Sequence, residues 1–151
     1  MKPTRVYVDT SVIGGCLDPE FAEASRALIE MVRRGELVLL VSELLLQELG
    51  RAPAGVRAVL DGLEAGCIEF VLGSEGSIQL RDAYLAAGVV GPGSQKDAHH
   101  VALATLANAD MIVSWNFKHI VHFDKIRRFN GVNLLQGFRQ IAIHSPPEVV
   151  P

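Results

Sequence analysis

The feature that most constrains this chain is an alternation of short apolar segments with amphipathic ones, on a period of roughly thirty residues. The apolar segments predict strands at 5–11, 36–41, 67–72, 110–115 and 139–144, the first of which ends at Asp9. Strands separated by helices pair in parallel, and the helices cover both faces of the sheet. We therefore expect an α/β fold, a three-layer α/β/α sandwich around a central, mostly parallel sheet, in a single domain over residues 1–151.

Residues that begin or end helices set the boundaries in the first half of the chain. Asp18-Pro19 predicts an N-cap followed by a first-turn proline, and Gly35 predicts the end of that helix. Ser42 predicts the cap of a helix over 43–50. A further short helix is predicted within 54–65.

Three more helices are predicted in the second half. Ser74 or Ser77 begins one that runs through Ala87. Ser94 and Asp97 have the capping-box spacing, which predicts the start of a helix over the alanine-rich run to residue 109. The last helix is predicted around 122–130, before an Asn- and Gly-rich turn.

Composition limits the classes of protein. With 151 residues, 49% of them hydrophobic, the chain can bury a core without disulfides. Cys16 and Cys67, in a chain without a signal peptide, predict reduced thiols and a cytoplasmic protein. No apolar run is long enough to span a bilayer, so no membrane partner is expected. The net charge of −3 excludes a uniformly basic nucleic-acid binder but not a local basic patch.

Four oxygen-bearing side chains are predicted near one edge of the sheet. Asp9 ends the first strand and Asn116 follows the fourth, while Asp97 lies in the first turn of the helix before that strand. Glu48 lies on the helix after the second strand. Ligands of open parallel sheets bind beyond the carboxyl ends of the strands, so these side chains are candidates for one pocket.

Three carboxylates in one pocket require a cation. Two carboxylates about 5 Å apart repel by roughly 3 kcal/mol at an effective dielectric constant of about 20, which a divalent metal relieves. All-oxygen ligation favours Mg²⁺ or Mn²⁺, and such ions activate water and stabilise displacement at phosphorus. The chemistry predicted is phosphodiester hydrolysis.

Each of these residues also has a purely structural interpretation. Asp9 is in position to cap the turn after its strand, and Asp97 would stabilise the first turn of its helix without a metal. Glu43 competes with Glu48 for any role in the site. Asn116 is in position to serve as a turn residue only.

Four segments together resemble a PIN-domain protein of the VapC toxin type: VDTSVIGG, SELLLQELGRAP, KDAHHVALATLANADMIVSWNFKHI and GFRQIAIHSPPEVV. The resemblance implies a PIN-like sandwich and a Mg²⁺- or Mn²⁺-dependent endoribonuclease, the toxin of a toxin-antitoxin pair. It also implies an antitoxin partner and a homodimer. By position, the metal ligands fall on Asp9, Glu48 and Asp97, and the supporting hydroxyl falls on Thr10 or Ser11.

Asn116 departs from the family pattern, which often has a fourth acid just past the fourth strand. The amide lacks the negative charge, so weaker metal binding is expected even if Asn116 completes the catalytic set. The alternative is a catalytically weak or inactive PIN-like module that binds RNA or a protein. A haloacid-dehalogenase-like phosphatase, with Asp9 as nucleophile, is disfavoured because DTSV lacks the second aspartate two residues later.

RNA binding requires local positive charge. Lys118, Arg127 and Arg128 are predicted to hold phosphates, although the arginine pair also fits a solvated helix face. The histidines are expected to be scattered polar residues near the surface. Trp115, at the end of a strand, is predicted to belong to the core.

Overall fold

The computed structural model describes residues 2–151, and its five strands form one sheet in which all neighbours are parallel. The order across the sheet is β3-β2-β1-β4-β5. All five predicted strands are present, four of them shorter than predicted and β2 displaced by one residue, and the predicted parallel sheet is confirmed. Their bounds are β1 Thr4–Val8, β2 Leu37–Ser42, β3 Ile68–Val71, β4 Met111–Val113 and β5 Ala142–His144.

Helices cover both faces of this sheet, which confirms the three-layer α/β/α architecture. Side chains alternate along β1: Val6 and Val8 pack in one core, and Tyr7 packs in the other. The first core contains residues of α1 to α4, and the second contains residues of α5 to α7. The helices are α1 Thr10–Gly15, α2 Ala22–Arg33, α3 Glu43–Gly50, α4 Ala54–Asp61, α5 Glu75–Ala86, α6 Gln95–Leu106, α7 Phe123–Leu135 and α8 Pro146–Val149.

Two of the predicted caps are confirmed. The Ser42 hydroxyl accepts a hydrogen bond from Leu45 N–H at 3.1 Å and begins α3. Ser74 begins α5 through a reciprocal pair of hydrogen bonds with Ser77. Gly35, with a φ of 77°, follows the end of α2 in the left-handed conformation that glycine adopts without strain.

The helix start predicted at Asp18-Pro19 is wrong, and the start predicted at Ser94 is right but lacks the predicted side-chain cap. Asp18 does not cap α2, because its carboxylate accepts from Glu20 N–H at 2.9 Å and closes a separate turn before the helix begins at Ala22. Ser94 makes no side-chain cap for α6. It ends a 3₁₀ turn that runs directly into α6, and its ψ of 27° is not the extended conformation of a cap.

The Asn- and Gly-rich turn predicted after residue 130 is also wrong, because α7 continues through it to Leu135. Asn130 exchanges two hydrogen bonds with the backbone of Ile141, at 2.7 and 3.0 Å. Asn133 accepts from the Tyr84 hydroxyl and donates to Thr105 at 3.2 Å. These buried tertiary hydrogen bonds override the local preference of asparagine for turns.

Within residues 2–151, no helix is both long and apolar enough to cross a membrane. Cys16 and Cys67 are both free thiols, so the prediction of reduced cysteines is confirmed.

Candidate active site

Asp9 lies at the junction between β1 and α1, where the chain leaves the sheet. The residue is only 5% exposed, and a hydroxyl group donates to each of its carboxylate oxygens. Ser11 donates to Oδ1 at 2.5 Å, and Ser114 donates to Oδ2 at 2.7 Å. These two bonds fix the plane of the carboxylate.

The same two serines connect Asp9 to the segment after β4. Ser11 Oγ accepts from Trp115 N–H at 2.9 Å, and Ser114 Oγ accepts from Asn116 N–H at 2.9 Å. β1 and β4 are neighbours, with Val8 beside Val113, so both strands end at the same place. Ser11 was predicted to support the site. Ser114 was not, since a serine at the end of a strand carries no signal in the sequence.

Glu48 is held by a buried histidine. Its Oε1 lies 2.5 Å from Nε2 of His100, a residue that is 2% exposed. His100 Nδ1 lies 2.6 Å from the Tyr7 hydroxyl, which is 2.8 Å from Ser42 Oγ. The prediction that the histidines are surface residues is therefore wrong for His100. Glu43, the competing acid, is exposed and lines a separate hollow.

Asn116 serves in part as a turn residue. Its Oδ1 accepts a hydrogen bond from His119 N–H at 2.9 Å, and its backbone carbonyl accepts from Ile120 and Val121. The amide group also acts on Asp97, where it opposes the rise in the pKa that burial causes. The structure thus brings Asn116 to Asp97, with one lone pair of its side-chain oxygen engaged by the turn.

Asp9 is linked electrostatically to each of the other two acids. Burial raises the pKa of Asp9, and the charge of Glu48 raises it further, against the opposing effects of His100 and the two serines. Burial also raises the pKa of Asp97, with His119 opposing and Asp9 adding to the rise. Burial tends to raise the pKa of Glu48 as well, but the hydrogen bond from His100 is the main opposing effect and the net pKa is lowered. The effects of Glu48 on Asp9 and of Asp9 on Asp97 put Asp9 within electrostatic range of both residues.

An open cleft of about 740 Å³ gives solvent access to two of these acids, Glu48 and Asp97. Arg81 and Lys96 also line it and supply positive charge. Asp9 is buried and does not line the cleft. Within residues 2–151, no three acidic, histidine or cysteine side chains already stand close enough together to hold a metal ion.

The two arginines that were predicted to bind phosphate lie on α7 and do not line the cleft of Glu48 and Asp97. Arg127 donates to Asp124 at 2.9 Å and lines a different hollow, beside Phe123 and Leu134. Arg128 donates to the Ala87 carbonyl at 3.2 Å. Lys118 is exposed.

Trp115 is half-buried and packs against the core, in agreement with the prediction. Its Nε1 donates to Ser25 Oγ at 2.7 Å, and its ring contacts Phe21 in a tilted arrangement with 4.4 Å between the ring centroids. The side chain packs against the core that α1 to α4 cover. It is therefore a structural residue of the segment that follows β4.

Comparison with known proteins gives matches at the level of structure. No protein-family model matches the sequence, and no curated protein sequence matches it. A chain of VapBC2 from Rickettsia felis, crystallised with a DNA fragment from its promoter, superposes with a TM-score of 0.62. The identity is 13%, over 94% of this chain and 98% of that one.

A chain of FitAcB from Neisseria gonorrhoeae superposes with a TM-score of 0.55 and 18% identity, over 95% of this chain and 99% of that one. At such low identity, the similarity establishes the fold alone. Both neighbours are PIN-domain complexes, and the resemblance predicted from the sequence motifs is confirmed at this level. The chain therefore has the PIN-like α/β/α fold.

Proposed function

We propose that this protein is a metal-dependent endoribonuclease that hydrolyses RNA phosphodiester bonds, with Asp9, Glu48 and Asp97 as the ligands of Mg²⁺ or Mn²⁺. The observation that carries the proposal is the position of these carboxylates: Asp9 follows β1 at the carboxyl edge of a parallel sheet, and Glu48 and Asp97 line one cleft. Substrate sites in such sheets lie at this edge. The PIN-like fold of the chain supports the same conclusion.

The donor chemistry of the site fits a hard cation. Carboxylate oxygens are the ligands that Mg²⁺ and Mn²⁺ prefer. Burial raises the pKa of both Asp9 and Asp97, and a bound cation would offset this by stabilising their charged forms. The Thr10 hydroxyl, next to Asp9, is buried and has no hydrogen bond of normal geometry within residues 2–151, but it lies near enough to Glu48 to help lower the pKa of that carboxyl. Side chains must move to bind an ion, because no three ligands stand together in the described chain.

The residues of the chain have separate roles in the proposed reaction. Asp9 provides a carboxylate that Ser11 and Ser114 hold in one orientation. Asn116 acts on Asp97 as a neutral partner and completes the catalytic set. A bound divalent cation would supply an activated water and stabilise the charge that develops at phosphorus.

The substrate enters through the cleft that Glu48 and Asp97 share. Lys96 and Arg81 are positioned there to contact RNA phosphates. Lys118, Arg127 and Arg128 remain predicted RNA contacts, although they do not line this cleft. Arg127 must give up its ion pair with Asp124 to contact RNA.

Cleavage of single-stranded and stem-loop RNAs, with Mn²⁺, Mg²⁺ or EDTA, tests the proposal. The wild type should cut with either metal and not with EDTA, and Asp9→Asn and Asp97→Asn should abolish cutting. Asp61→Asn is the matched control, since this exposed aspartate ends α4, outside the cleft, and its substitution should leave the rate unchanged. Normal cutting by both site variants would contradict the assignment.

A second function, a catalytically weak PIN-like module that binds RNA or a protein, is favoured by one observation. The Asn116 side-chain oxygen already accepts a hydrogen bond from His119 N–H, and the residue brings no negative charge. In the same assay such a module would bind RNA without cutting it under any metal condition. Asn116→Asp would then restore cleavage.

The biological setting is proposed from the structural neighbours, which are toxin-antitoxin complexes. We infer that this chain is a cytoplasmic toxin, that it forms a homodimer and that an antitoxin protein neutralises it. Expression of the wild type should arrest growth, whereas Asp9→Asn should not. Sedimentation of the purified protein measures the oligomeric state directly.

A further inference from the structure

A chain of buried hydrogen bonds connects the two ends of α3 through the sheet and through α6. It starts at Leu45 N–H, which donates to Ser42 Oγ at the beginning of α3. It continues through Tyr7 on β1 and His100 on α6. It ends at Glu48, one helical turn after Leu45. Ser42, Tyr7 and His100 are each at most 2% exposed, so water does not compete for these bonds.

The chemistry of the groups fixes the direction of donation. The Glu48 carboxylate can only accept, so His100 Nε2 carries a proton and donates. Burial raises the pKa of Tyr7, which keeps the phenol protonated. The phenol donates to His100 Nδ1 and its oxygen accepts from the Ser42 hydroxyl, so every member of the chain has a partner.

We propose that His100 is a positioning residue that holds Glu48 Oε1 in place, so that only Oε2 is presented to a cation at the site. Tyr7 supports this role, because its hydroxyl sets the tautomer and the orientation of the imidazole. The inference rests on the proposed function and deepens it. It assigns a role to a histidine and a tyrosine that contact no substrate.

Two features of the structure separate this role from ordinary core packing. His100 lies three residues after Asp97 on α6, so one helix supplies one proposed ligand and the support of another. His100 is also only 2% exposed, yet its Nε2 contacts a carboxylate that lines the open cleft. Groups that orient metal ligands typically change metal affinity by about 10–100-fold when they are removed.

Mn²⁺ titration by calorimetry, with the ion alone as the probe, tests the inference in four variants. His100→Leu removes the donor and should weaken Mn²⁺ binding by about 10–100-fold. His100→Gln keeps an N–H donor near the position of Nε2 and should restore most of the affinity. Tyr7→Phe keeps the ring and loses the hydroxyl, so it should give an intermediate loss. His144→Gln is the matched control, because His144 also pairs with a glutamate, Glu148, at 2.9 Å but outside the site.

Cleavage kinetics give a second readout. At subsaturating Mn²⁺, His100→Leu and Tyr7→Phe should lower kcat and leave KM for RNA unchanged, and added Mn²⁺ should recover the rate of Tyr7→Phe. A loss of folding, by contrast, would not respond to the metal concentration. If His100→Leu does not fold, His100→Gln and Tyr7→Phe decide the question.

The outcomes distinguish the inference from the function on which it rests. If the wild type binds no Mn²⁺, the proposed function and the inference both fail. If the wild type binds Mn²⁺ through Asp9 and Asp97, but Tyr7→Phe and the folded His100 variants bind it with unchanged affinity, the inference alone is overturned. Weaker binding in His100→Leu that His100→Gln restores supports it.

Discussion

Ser114→Ala tests whether the candidate site is built around Asp9. Ser114 is 0% exposed, and its hydroxyl donates to Asp9 Oδ2 at 2.7 Å and accepts from Asn116 N–H at 2.9 Å. A hydrogen bond to a charged group contributes about 1.5–3 kcal/mol, and one between neutral groups about 0.5–1.5 kcal/mol. The variant should therefore lower the free energy of unfolding by about 2–4.5 kcal/mol. For a domain of this size, Tm should fall by about 4–18 °C.

A double-mutant cycle isolates the part that depends on the carboxylate. Only the bond to Asp9 is shared, so Ser114→Ala combined with Asp9→Ala should show a coupling energy of about 1.5–3 kcal/mol. Ser74→Ala is the control, because this serine caps α5 and makes no bond to the site. Its cost of about 1 kcal/mol should be additive with Asp9→Ala.

Urea unfolding monitored by circular dichroism measures all of these free energies without metal. If Ser114→Ala lowers the free energy of unfolding by the same amount with and without the Asp9 carboxylate, within about 0.5 kcal/mol, then Ser114 does not stabilise Asp9. The hydroxyl would then act only on the turn after β4.

Three further predictions concern pH, packing and RNA. Burial raises the pKa of Asp9, so the stability that Asp9 contributes is complete below its unfolded pKa of about 4 and is lost as the pH rises through its folded pKa. In urea titrations without metal, Asp9→Asn should therefore reduce the fall in the free energy of unfolding above about pH 4. An unchanged dependence on pH would contradict this. Gly15→Ala should lower Tm, since its Cβ would lie 2.5 Å from Ser25 Oγ, whereas Gly14→Ala meets no atom within 4 Å and should not lower it through a clash. Lys96→Ala should weaken RNA binding, measured by fluorescence anisotropy, and lower the salt dependence of the affinity by about one counterion. An equal effect of Lys2→Ala would contradict RNA binding in the cleft.

The parts of the fold that could be predicted are those that local chemistry decides. The five strands are short apolar runs, and Ser42, Ser74 and Gly35 act within a few residues of their own positions. The parts that could not be predicted depend on partners distant in sequence. Asn133 remains in α7 because Tyr84 and Thr105 bind its amide, and no local pattern indicates these residues.

The candidate site divides in the same way. Asp9, Glu48 and Asp97 were predicted because acids at strand ends and in family motifs are visible in the sequence. The sequence predicts a surface position for His100, because two adjacent histidines form a polar pattern, and only the tertiary packing of α6 buries this one. The single-domain assignment over residues 1–151 and the roles of the site residues stay predictions.

The most direct test of the central claim is the anomalous diffraction of a crystal soaked in Mn²⁺. A metal site formed by Asp9, Glu48 and Asp97 should give one strong peak, about 2.0–2.3 Å from each of the ligating carboxylate oxygens. A peak elsewhere, or none at a Mn²⁺ concentration that supports cleavage, would contradict it.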